Sequence, residues 1–117
     1  MTSPDDALKS ALKALRIEYL NEAPRHVAEL RALLERAERG ERGALDELRR
    51  ALHKLAGSGG SYGFPDVSAR GRAGEHEAQR LLDAGAPPAA PALATLRGMV
   101  ESVADAFTDA DGNAPAE

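Results

Sequence analysis

Residues 44–64 read ALDELRRALHKLAGSGGSYGF, an apolar-periodic segment that carries one histidine, runs into a cluster of glycines and meets Pro65. On a helix at roughly 100° per residue, Ala44, Leu45, Leu48, Ala51, Leu52, Leu55, Gly59 and Tyr62 share one sector, which is a core face. His53 lies roughly 140° from that direction, among Asp46, Arg49, Arg50, Gly57 and Gly60, and therefore faces water. Gly57, Gly59 and Gly60 should each cost a helix interior about 0.5–1 kcal/mol relative to alanine. Tyr62 nevertheless continues the apolar face, and the stronger stop signal, Gly63-Phe64-Pro65, follows it. A helix is expected over about residues 42–62. Gly57 then sits one turn beyond His53 on the same face, where the missing side chain leaves the imidazole open to a large partner.

Composition narrows the class of protein. At 117 residues the chain is expected to be one domain with one core. Alanine and leucine fill 39 positions while β-branched and aromatic residues are scarce, which favours an all-α fold. There is no cysteine, so disulfide, thiolate and cysteine-zinc chemistry are excluded. The net charge of -4, with no clustered Lys/Arg face, argues against a nucleic-acid partner. The N-terminus is acidic where a secretory leader is basic, and no apolar run is long enough to span a membrane. A cytoplasmic protein without a membrane partner is expected.

Around the central segment the chain parses into helices. Ser3-Pro4-Asp5-Asp6 reads as a helix start, with a capping serine, proline at the first position and acids against the dipole. Leu8, Leu12, Leu15, Tyr19, Leu20, Ala23, Val27, Leu30 and Leu34 keep helical spacing as far as Gly40, interrupted by Pro24. That proline implies a kink near Leu20 or a restart capped by Asn21. The short link at residues 39–43 makes the next helix antiparallel to the first. A third helix is expected from Pro65 to about Ala84, with Val67, Ala73, Leu81 and Leu82 as core positions. Three prolines between residues 87 and 91 forbid a continuous helix there. Leu93, Leu96, Val100, Val103 and Phe107 then define the last helix, ending near Phe107. The bundle should occupy residues 1–107, and residues 108–117 should form a disordered tail.

The run HKLAGSGGSYGF, with Leu52 before it and Pro65 after, resembles the active-site helix of a histidine-containing phosphotransfer (HPt) domain. The shared pattern comprises His53, Lys54 as the basic neighbour, Gly57, Ser58, Tyr62 and Gly63, and Glu75 matches a glutamate common in the family. Ala56 departs from it, standing where a lysine is often found, which leaves Lys54 as the local positive charge. Gly71 and Gly74 stand where relatives usually carry larger apolar residues, which implies a third helix that is thinly packed and bent. The resemblance covers about residues 15–107. It implies an antiparallel four-helix bundle, with the first helix kinked or split near Pro24, whose exposed histidine relays phosphoryl groups in two-component signalling.

On that reading His53 is the phosphoryl acceptor and donor, and Lys54, Gly57, Ser58, Gly60, Arg49 and Arg50 form the phosphate- and partner-binding surface. The partners are a response-regulator receiver domain, a hybrid histidine kinase, or both. This chain acts as a monomeric, stoichiometric carrier with no cofactor or metal of its own, Mg²⁺ being expected in the receiver. It has no GxxxxGK[ST] loop for ATP. Ser58 and Ser61 lack the acid–histidine relay of a serine nucleophile, so Ser58 is expected to support the helix or the phosphate by hydrogen bonding. Neither His26 nor His76 has a carboxylate or second histidine at the i+4 spacing that a helical metal site would use, and both are expected to be solvated. The rival is a helical module that binds a receiver or another partner without taking up phosphate.

Overall fold

The computed structural model describes residues 3–112, all of the regular structure in which is helical. Five segments follow one another: α1 Pro4–Asn21, α2 Ala23–Glu38, α3 Ala44–Ser61, α4 Pro65–Asp83 and α5 Ala90–Gly112. The first two are one helix broken at Glu22, so the architecture is a four-helix bundle with a bent first helix.

The termini follow local chemistry. Ser3 caps α1 by accepting from the Asp6 amide at 3.1 Å, and Pro4 occupies the first turn. The break falls at Glu22, which ends α1 and precedes α2, rather than at a cap by Asn21. Pro24 lies in the first turn of α2, where its missing N–H leaves no helical bond unmade. The turn from α2 to α3 uses Gly40 and Gly43 at φ 77° and 84°, backbone that other residues adopt at a cost.

The core is made by Leu30, Leu34, Leu48, Leu52, Val67, Leu96, Val100 and Val103, with Tyr19, Phe64 and Phe107 closing one end. No buried side-chain polar atom among the described residues lacks a hydrogen bond. Ion pairs Arg31–Glu101 and Arg97–Glu38 tie α2 to α5 across the surface, and Arg70 donates to the Ser102 carbonyl from α4 to α5. Such exposed pairs add little stability individually.

Four expectations need correction. Leu8, Leu12 and Leu15 keep helical spacing but are exposed, because the first half of α1 extends past the bundle. The tail expected to begin at Thr108 is helical to Gly112, because α5 continues without a break past Phe107; residues 113–117 lie outside the described residues. Tyr62 is not a core residue: it follows the last residue of α3, is 36% exposed, and stacks on Tyr19 at 4.7 Å between ring centroids.

The fourth correction concerns α4. Its buried stripe is Val67, Gly71, Gly74, Ala78 and Leu81, while Ala73 is exposed. The helix is neither interrupted nor thinly packed at its glycines, which are instead where it lies closest to α3. A Cβ on Gly71 would stand 3.3 Å from the Ala56 nitrogen and 3.4 Å from its Cα; one on Gly74 would stand 3.2 Å from a Leu52 methyl. From the other side, a Cβ on Gly59 would meet Val67 Cγ1 at 2.9 Å. Ser68 Oγ donates to the Ala56 carbonyl at 2.7 Å across the same seam. Ala56 is consequently buried, at the position where the related pattern often has lysine.

Candidate functional site

His53 stands in the middle of α3, and its side chain is 70% exposed. Its Nδ1 lies 2.7 Å from a carboxylate oxygen of Glu75 on α4. A carboxylate only accepts, so Nδ1 carries the ring proton and donates it, and Nε2 is the nitrogen with the free lone pair. Glu75 is mostly shielded, with 18% of its side chain exposed. The sequence pattern points to Glu75 only through family likeness. Its role as the partner of His53 depends on two residues 22 positions apart, on different helices, coming together, which no local periodicity encodes.

The other candidate residues fall into two groups. Gly57 and Gly60 share the exposed face of His53, and a Cβ on Gly57 would meet nothing within 4 Å. Gly60 lies nearer α4, where a Cβ would touch Ser68 Oγ at 3.4 Å. Arg49 and Arg50 lie one turn before His53, and both pair with Asp46 at 3.0 Å, so three charged side chains there leave one net positive charge. Around the helix from this face, Lys54 is exposed and lines a cleft of about 350 Å³ with Tyr19, His26, Leu30, Ser58 and Tyr62.

Ser58 points into that cleft and away from His53. Its hydroxyl lies 2.7 Å from Tyr19 Oη and donates to the Leu55 carbonyl at 3.3 Å, so it fastens α1 to α3. Burial raises the Tyr19 pKa, partly offset by the Ser58 hydrogen bond and reinforced by the nearby Tyr62. His26 is half-buried beside Tyr19, contrary to the solvated position expected for it. Burial lowers its pKa and the nearby Arg25 lowers it further, against the pull of Glu22 and Glu29. His76 is exposed on α4, as expected for it. Among the described residues no three His, Asp or Glu side chains are grouped to hold a metal ion.

The bundle thus presents an oriented imidazole on an open face. The chain belongs to the Hpt domain family, whose model matches residues 14–106. It is accordingly a phosphotransfer module of phosphorelay signalling, a carrier rather than an autokinase, and its class of partner is the receiver domain or histidine kinase of such a relay. Neither the curated proteins nor the solved structures include a significant match to the chain. No helix among the described residues is long and apolar enough to cross a membrane.

Proposed function

We propose that His53 accepts a phosphoryl group from the aspartyl phosphate of one receiver domain and donates it to the aspartate of another, within the cytoplasm. The observation that carries this reading is the pairing of an exposed imidazole with Glu75 at Nδ1, which makes Nε2 the nucleophile.

The Nε2 lone pair attacks phosphorus, the P–N bond forms, and the P–O bond to the receiver's aspartate breaks with its electron pair returning to that carboxylate. No proton has to leave Nε2, because the ring's proton is on Nδ1. The ring becomes a phosphorylated imidazolium, whose positive charge Glu75 offsets through the Nδ1–H bond. Transfer onward is the reverse sequence with a new aspartate. Mg²⁺, expected in the receiver, would supply positive charge for the phosphoryl oxygens. From this chain, Lys54 is the candidate cation next to His53, Arg49 and Arg50 contribute one net charge, and Gly57 with Gly60 gives the receiver room to approach.

Incubation with phosphorylated receiver domains tests the proposal. Label should appear on this protein in an acid-labile, base-stable linkage, as a phosphoramidate requires, and be lost in His53→Gln. Undiminished labelling of that variant, or an acid-stable linkage, overturns the assignment. Stable binding of receivers with no transfer would favour a docking module that takes up no phosphate.

A further inference from the structure

The seam between α3 and α4 runs as a series of antiparallel rungs. Gly59 meets Val67 and Ser68, Ala56 meets Gly71, Leu52 meets Gly74, and His53 meets Glu75. Gly71 precedes Glu75 by one helical turn on the same face of α4, and Ala56 follows His53 by three residues on α3, so the two rungs are neighbours. The contacts of the two α4 glycines differ in kind. A Cβ on Gly74 would meet the methyl ends of Leu52, which can change rotamer, whereas one on Gly71 would stand 3.3 and 3.4 Å from the backbone nitrogen and Cα of Ala56. Helix backbone cannot swing aside. A side chain at 71 is therefore accommodated by moving α4 away from α3, and Glu75 moves with it.

We infer that Gly71 is a positioning residue for His53: by letting α4 lie against the backbone at Ala56, it keeps Glu75 within hydrogen-bonding distance of Nδ1 and so determines which ring nitrogen is left free. The inference rests on the phosphotransfer reading for its consequence, but its structural content concerns the tautomer alone. The contact at 2.7 Å has little slack, since an N–H···O bond beyond about 3.5 Å no longer counts as one. Retreat of α4 by about an ångström breaks it. Without an acceptor at Nδ1, the proton distributes over both nitrogens and the fraction of rings with a bare Nε2 falls.

Long-range ¹H–¹⁵N spectra of the full chain at alkaline pH read the tautomer directly. In the wild type His53 should show a protonated Nδ1 and a bare Nε2. Gly71→Val should bring the two nitrogen shifts toward each other, as Glu75→Ala does, with Gly71→Ala intermediate. Gly98→Ala is the control, because a Cβ there meets nothing within 4 Å. Transfer from a phosphorylated receiver should slow about fivefold in Gly71→Val, the loss of one hydrogen bond, and the Gly71→Val/Glu75→Ala double variant should be no slower than Glu75→Ala. A wild-type tautomer pattern in a folded Gly71→Val overturns the inference. So does an equal slowing by Gly71→Val with and without Glu75, which marks a general structural defect. If the valine variant does not fold, Gly71→Ala decides through the Nδ1 proton: its Cβ requires a shift of a few tenths of an ångström, which lengthens the bond to Glu75 and should move that proton upfield, and an unmoved resonance overturns the inference. The nitrogen shifts need no partner protein, so they test the role of Gly71 even if no receiver transfers phosphate and the phosphotransfer reading fails.

Discussion

Replacing Gly57 with leucine should raise stability and lower transfer at the same time. Gly57 lies within α3, and a Cβ there would meet nothing within 4 Å, so leucine can enter without moving any neighbour. Its better helix propensity contributes about 0.5–1 kcal/mol. For a domain of this size that is a rise in melting temperature of about 2–6 °C. The effect on docking has the opposite sign. Position 57 is about 6 Å along the axis from His53 and about 40° around it. A receiver whose phosphoaspartate reaches Nε2 must cover that spot. Misplacing reacting groups by about 1 Å can slow a reaction by about 10²-fold, so an isobutyl group at the contact should slow transfer about tenfold to a hundredfold. Calorimetry and rapid-quench transfer from a phosphorylated receiver measure the two effects, and the His53 tautomer should stay as in the wild type. A more stable variant that transfers at the wild-type rate would remove Gly57 from the docking surface. A less stable variant would show that the site is not open in solution.

Gly59→Ala should lose about 1–3 kcal/mol in denaturant unfolding, because its Cβ would press on Val67 Cγ1 at 2.9 Å and the Ser68 nitrogen at 3.1 Å; unchanged stability would mean that the seam is looser than described. His26 has a folded pKa below its ordinary 6.5, so the unfolded chain binds the proton more readily. Its contribution to stability is therefore present above about pH 6.5 and lost as pH falls from there through the lowered folded value. Thermal melts should show a shallower decline over that window in His26→Gln, and an identical decline would discount the effect. Arg50→Glu should slow association with a receiver at low salt, with the deficit shrinking as salt rises, because the pair with Asp46 leaves so little positive charge beside His53. Stopped-flow rates that match the wild type at low salt would take the arginines out of recognition.

Much of this molecule can be read locally. The apolar repeat of residues 44–55 places His53 on the solvent side of its helix whatever the helix packs against, and Ser3-Pro4 and Gly63-Phe64-Pro65 mark boundaries by their own backbone chemistry. The glycine and aromatic pattern after His53 carries the likeness to HPt domains, and the family match agrees with it. The features that a linear reading misses depend on neighbours distant in sequence. Glycine in a periodic pattern looks like a gap in the apolar face, so the stripe from Val67 to Leu81 is hidden and exposed Ala73 stands in for it. Only the packed pair shows that Gly71 and Gly74 lie in the interface, where absence of a side chain permits close approach. Leu8, Leu12 and Leu15 err the other way: their spacing makes an apolar stripe, but no other element among the described residues extends far enough to cover it. The Glu75 contact and the cleft-facing hydroxyl of Ser58 are likewise set by where α4 and α1 lie against α3. Periodicity specifies which way a side chain leaves its own helix; the partner it meets, and hence the nitrogen of His53 left free to react, is decided by helix packing.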